Sequence, residues 1–140
     1  MIISALKSSV STDSRSPIHI DTISTLLNLG ADVFFEENIG RGINVSDKIF
    51  EQSGLNKSSR EECLKKGDLI ITNQPLGDDE LKLIKPNSTL LGMINPFNNI
   101  ALIESCSKLK INLVSMEFIP RITRAQKMDC LLYTSPSPRD

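Results

Sequence analysis

The feature that most limits what this chain can fold into is an alternation. Short apolar runs recur at Met1–Leu6, Asp32–Phe35, Leu69–Thr72, Thr89–Ile94 and Ile111–Met116, each short enough for a strand and too short for a buried helix. Between them lie stretches of helical character. Ile20, Ile23, Leu26 and Leu27 recur at helical spacing and stop at Gly30. Ser46–Ser53 is followed by Gly54. Ser59-Arg60-Glu61-Glu62 forms a capping box that opens a helix running to Lys66, with Gly67 as its stop. Asp78–Ile84 carries acids in its first turn, and Pro96–Lys108 completes the series. Lys7–Arg15, Glu36–Val45, Pro75–Gly77 and Pro86-Asn87 read as loops or turns. Strand and helix in strict succession predict an α/β chain with a doubly wound, mostly parallel sheet, as one domain without internal repeats.

What the composition excludes narrows the function. Net charge is −1, and no basic block or basic–aromatic interleaving suggests nucleic acid. No apolar run approaches the ~20 residues of a membrane span, and Met1–Val10 lacks the layout of a secretory signal. Cys63, Cys106 and Cys130 have no metal-ligand spacing and fit a reducing compartment, so the N-x-[ST] matches at Asn44, Asn56 and Asn87 carry no meaning. His19 is the single histidine and begins a helix, without the partners of a triad or a zinc site. Gly40-Arg41-Gly42 lacks the third glycine and the helix of a dinucleotide loop and reads as a turn. No catalytic residue and no metal site is expected.

Met116–Asp129, MEFIPRITRAQKMD, concentrates the remaining chemistry. An apolar run ends, turns at Pro120 and becomes polar, with Thr123-Arg124-Ala125-Gln126 marking a second capping box. Open α/β sheets hold ligands beyond the carboxyl ends of their strands. Arg121 offers a guanidinium donor, Asp129 a carboxylate acceptor and Gln126 an amide that does both. Such a set suits a carboxamide ligand. It equally describes a solvated helix start with a surface Arg–Asp pair.

The string PRITRAQKMD resembles the P-R-[IV]-[ST]-R-A-Q-x-[ML]-D signature of the alpha subunit of proton-translocating NAD(P)+ transhydrogenase, in the alanine dehydrogenase/transhydrogenase family. The resemblance covers residues 1–129, more weakly upstream of the motif. It implies the Rossmann-like N-terminal domain of that family, here incomplete, with closing elements that return from later in the chain. It implies that Arg121, Gln126 and Asp129 contact the nicotinamide of NAD(H); a family serine falls near Leu132. It further implies hydride transfer from NADH to NADP+, with NADP(H) held on a partner beta subunit or domain. Proton translocation runs through a membrane domain, the parent alpha subunit is a homodimer, and the complex sits at the cytoplasmic face of the inner membrane. The G-x-G-x-x-G belongs to a second domain, so this stretch alone is expected to be inactive and to leave a sheet edge and apolar faces uncovered.

Lys7 and Arg15 match an early K…R pattern common to the whole family, although Arg15 reads more readily as a structural ion-pair residue. Alanine dehydrogenases, the runner-up, place a Lys after the third major strand and a His after the next. Thr72-Asn73-Gln74 and Asn95-Pro96 stand there instead. Two further departures are Gly40-Arg41-Gly42 for the family's Gly-Ala-Gly, and the loss near Asp13 of a Glu before the early Arg. A stand-alone, non-catalytic α/β interaction module is the third alternative. Finally, Cys130–Asp140, CLLYTSPSPRD, back-translates without mismatch to a transposase adaptor used in DNA library preparation. Residues 130–140 are therefore expected to be a non-native tail appended to a partial domain of residues 1–129.

Overall fold

The structure is a computed structural model that describes residues 1–8 and 15–118. The first apolar run becomes β1 (Ile2–Ala5), followed by α1 (Ile20–Asn28), β2 (Asp32–Glu36) and α2 (Asp47–Gln52). Next come β3 (Asn56–Ser58), α3 (Arg60–Lys66), β4 (Leu69–Thr72) and α4 (Asp78–Leu81). The described part closes with β5 (Thr89–Gly92), α5 (Ile100–Lys108) and β6 (Asn112–Ser115). The strands form one sheet in the order β3-β2-β1-β4-β5-β6, and every described pairing is parallel. The doubly wound expectation holds.

Local chemistry explains most of the boundaries. His19 caps α1, its Nδ1 accepting the Asp21 N–H at 3.4 Å. Ser59 caps α3 through the Glu62 N–H at 3.3 Å. After α1 the chain reverses through Gly30 at φ +82°, a conformation glycine reaches without a Cβ penalty.

Four boundaries differ from the expectation. β3 has no counterpart in the sequence pattern: its three polar residues become a strand because the free edge of β2 supplies backbone partners from Phe34 to Glu36. α4 ends at Leu81 rather than Ile84. Pro96–Asn98 is a separate 3-10 turn, because Asn95 enters it in the left-handed region at φ 52°, so α5 starts only at Ile100. The apolar runs of β5 and β6 stop pairing at Gly92 and Ser115, and Met116–Phe118 turns away as a 3-10 segment. The second capping box at Thr123 and the tail at 130–140 lie outside the described residues.

The two faces of the sheet carry separate cores. On one, α1 and α2 pack Ile23 and Phe50 against Ile3, Ala5, Val33 and Phe35. On the other, α3, α4 and α5 pack Cys63, Leu64, Leu81, Leu102 and Cys106 against Leu6, Ile70 and Leu90. Cover on the first face is unequal. Phe35, Ala5, Ile71, Leu91 and Val114 lie side by side in register. Along that rung burial falls from complete at Phe35 and Ala5, through half-buried Ile71 and Leu91, to Val114 at 42% exposed.

Candidate functional site

Strand order reverses between β1 and β4. Chain leaving β1 turns toward one face and chain leaving β4 toward the other, and the two loops part to form a crevice. Ser8, buried at 7%, and half-buried Lys7 line the β1 side. On the β4 side the Thr72 hydroxyl donates to the Gln74 carbonyl at 2.9 Å and accepts the Gln74 N–H at 3.2 Å, folding the loop on itself. The Asn73 amide donates to the Arg15 carbonyl at 3.1 Å and ties the two sides together. This fold leaves no room above β5: a Cβ at Gly92 would collide with the Thr72 carbonyl oxygen.

Two carboxylate clusters stiffen the same edge of the sheet. Arg60, the first residue of α3, donates Nε to Glu80 at 2.5 Å and Nη1 to Glu36 at 2.7 Å and to the Lys7 carbonyl at 2.9 Å. One guanidinium thus joins the ends of β1 and β2 to α4. Burial works against its charge, but the hydrogen bonds from Arg60 to Glu80 and Glu36 prevail and raise its pKa above the ordinary value. At the far end, Glu117 accepts the N–H groups of Ile94 at 2.8 Å and Asn95 at 2.7 Å and the Ser115 hydroxyl at 2.7 Å. Burial pushes the Glu117 carboxyl up, yet the bonds from Ser115, Ile94 and Asn95 outweigh it and hold the carboxyl below its usual range.

Of the residues singled out from sequence, the structure brings Lys7, the backbone of Arg15 and Thr72-Asn73-Gln74 to one crevice. Arg121, Gln126 and Asp129 lie outside the described residues, as does Leu132. His19 serves as a helix cap with its side chain 59% exposed. Gly40-Arg41-Gly42 is a turn, with Arg41–Ile43 in 3-10 form. Sequence reasoning misses Arg60 and Glu117. A cation at the first position of a helix opposes the helix dipole, and that mismatch is the available signal for Arg60. Glu117 stands within the polar-rich stretch but between the apolar Met116 and Phe118, with nothing local to mark it.

The chemistry on offer is binding and orientation. Burial, and secondarily the charges of Glu36 and Glu62, push the Cys63 thiol up to about 12, so it is no nucleophile near neutrality. Among the described residues no group of three or more His, Cys, Asp or Glu is placed to hold a metal, and no helix is long and apolar enough to cross a membrane.

A parallel sheet with a crevice at its reversal point, lined by amides and a lysine rather than by acid–base pairs, defines a doubly wound α/β ligand-binding domain. The family described as alanine dehydrogenase/PNT, N-terminal domain, matches residues 6–136, and the chain belongs to it. It is 32% identical over 136 residues to an NAD(P) transhydrogenase subunit alpha of Rickettsia prowazekii, covering 94% of this chain and 36% of that protein. The crystal structure of a transhydrogenase from Sinorhizobium meliloti superposes with a TM-score of 0.88 at 26% identity, covering 94% of this chain and 39% of that one. An L-alanine dehydrogenase shares the fold, with a TM-score of 0.79 at 17% identity over 89% of this chain and 34% of its own. The chain therefore spans little more than a third of the length of these relatives.

Proposed function

We propose that this chain is the first domain of an NAD(P) transhydrogenase alpha subunit and forms the nicotinamide-facing wall of an NAD(H) site. The observation that carries the reading is the family match over residues 6–136 together with the intact PRITRAQKMD string inside it. Arg121, Gln126 and Asp129 hold the carboxamide of the nicotinamide, through a guanidinium donor, an amide and a carboxylate acceptor. The described edge fits that role in its chemistry: it carries amides and a lysine, and no glycine-rich loop to cradle a pyrophosphate. The phosphates are therefore held by a second domain. When bound, NADH supplies the hydride; the protein's role is to align it with NADP+ held on a beta subunit or partner domain.

In the assembled protein the alpha subunit forms a homodimer and docks at the cytoplasmic face of the membrane, on the membrane domain that translocates protons. Residues 1–140 alone are inactive, and residues 130–140 are foreign to the domain. Alanine dehydrogenase chemistry is disfavoured by Thr72-Asn73-Gln74 and Asn95-Pro96, which put neither a lysine nor a histidine at the ends of β4 and β5.

The test uses the uninterrupted gene, expressed with its partner subunits. The expected result is hydride transfer from NADH to NADP+, with Arg121→Ala raising the KM for NADH at least about tenfold through the loss of a charge-assisted hydrogen bond. Alanine-dependent reduction of NAD+, or an absence of NADH binding, overturns the reading.

A further inference from the structure

The loop after β5 contains a concavity that is filled from within the chain. Asn95 lies in the left-handed region, at φ 52° and ψ 63°. Successive N–H groups in such a turn converge and form a site for an anion. Here the N–H groups of Ile94 and Asn95 both meet the Glu117 carboxylate, one on each oxygen. The Ser115 hydroxyl adds a third donor. From the other side the Asn99 amide donates to the carbonyls of Ile94 at 3.0 Å and Asn95 at 2.9 Å, so the loop is held through both its donors and its acceptors.

The β5–β6 ladder ends at the Gly92–Ser115 pair. Glu117 carries the connection two residues further by side chain alone. The tie joins positions 22 and 23 residues apart in sequence. Glu117 is an exposed residue, and exposed charges contribute little to global stability. Three donors aimed at one exposed carboxylate are better explained by location than by stability. Arg121 follows four residues on, within about 14 Å of the Glu117 Cα even if fully extended.

We propose that Glu117 is a positioning residue for the nicotinamide-contacting segment: its carboxylate fastens the exit of β6 to the loop after β5 and so fixes the point from which Arg121 is presented. The proposal rests on the transhydrogenase reading above. Glu117→Gln keeps one oxygen acceptor but turns an NH2 toward a backbone N–H. A carboxylate bound by two amides cannot be imitated by an amide.

The experiment uses the full-length alpha subunit in complex with its partner subunits. Glu117→Gln is expected to raise the KM for NADH about tenfold while kcat at saturating NADH and the KM for NADP+ stay within about twofold of wild type. Lys85→Ala serves as the stability control. It breaks the ion pair with Asp68 at the opposite edge of the sheet and is expected to leave the NADH KM unchanged. Should Glu117→Gln not fold, Ser115→Ala removes one of the three donors and is expected to raise the NADH KM about twofold. An unchanged NADH KM in whichever variant folds overturns the positioning role, as does an equal rise in Lys85→Ala. A wild-type complex that binds no NADH overturns the functional reading and this proposal together. One that binds NADH while Glu117→Gln binds equally well overturns this proposal alone.

Discussion

Replacing Arg60 with methionine tests the carboxylate clamp directly. The substitution keeps most of the aliphatic stem and removes the charge. Glu36 then loses its cation while its side chain remains only 12% exposed. Two unit charges about 4 Å apart interact by about 4 kcal/mol at an effective dielectric near 20, and breaking a fully buried pair costs about 3–5 kcal/mol. Arg60 itself is 30% exposed, so water replaces part of that interaction and about 1.5–2 kcal/mol remains for Glu36. The hydrogen bond to the Lys7 carbonyl adds about 1 kcal/mol. Glu80, 32% exposed, turns to solvent and loses about 0.5 kcal/mol. The sum is about 3 kcal/mol. With a urea m-value near 2 kcal/mol/M, the midpoint of unfolding followed by far-UV circular dichroism drops by about 1.5 M. Adding Glu36→Gln in the Arg60→Met background removes the stranded charge and restores at least about 0.5 M. A midpoint within about 0.2 M of wild type, or no recovery in the double variant, refutes the reasoning.

Other outcomes follow from single contacts. Gly92→Ala drives its Cβ into the Thr72 carbonyl oxygen, a backbone atom that cannot yield, and lowers stability by about 3 kcal/mol or more in the same urea assay. Gly30→Ala meets no atom within 4 Å and suffers only its positive φ, costing about 1 kcal/mol. Cys63 and Cys106 are buried, and burial raises both thiols, Cys63 to about 12. Peptide mapping after maleimide treatment at pH 8 should find both unlabelled in native protein and both labelled in urea. Asp68 is held below its ordinary pKa by the hydrogen bond from Lys85 and then by the Ile2 N–H. Its contribution is therefore complete above the ordinary value near 3.8 and is lost as pH falls through the lower folded-state value. Acid unfolding of Asp68→Asn should accordingly be flatter in that window than wild type.

The sheet was legible because period and punctuation agreed. β4 falls on Leu69–Thr72 as the apolar run dictates, and α3 starts where Ser59 caps it. β3 was illegible because Asn56-Lys57-Ser58 carries no pattern; its strand state is imposed by the neighbouring edge, a tertiary cause that no local window contains. The split of the expected Pro96–Lys108 helix depended on the left-handed backbone of Asn95, which Glu117 holds from outside the segment. The crevice is legible in kind, since strand-end loops of a doubly wound sheet hold ligands. Its stiffening by Arg60 and Glu117 is not, because both act on partners more than twenty residues away. The three residues expected to meet the nicotinamide, Arg121, Gln126 and Asp129, rest on the motif alone.

The rung from Phe35 to Val114 bears on how the molecule opens. Amide exchange follows the least costly opening that frees a given N–H, and that cost tracks the apolar cover over the strand. β1 and β2, sealed on both faces, should exchange only when the whole domain unfolds. β6, with Val114 at 42% exposed and its outer edge unpaired among the described strands, should exchange by local detachment. Protection should thus decline in steps from β1 through β4 and β5 to β6. A protease or chaperone sampling this domain would meet the β6 side first, the side from which the PRITRAQKMD segment departs.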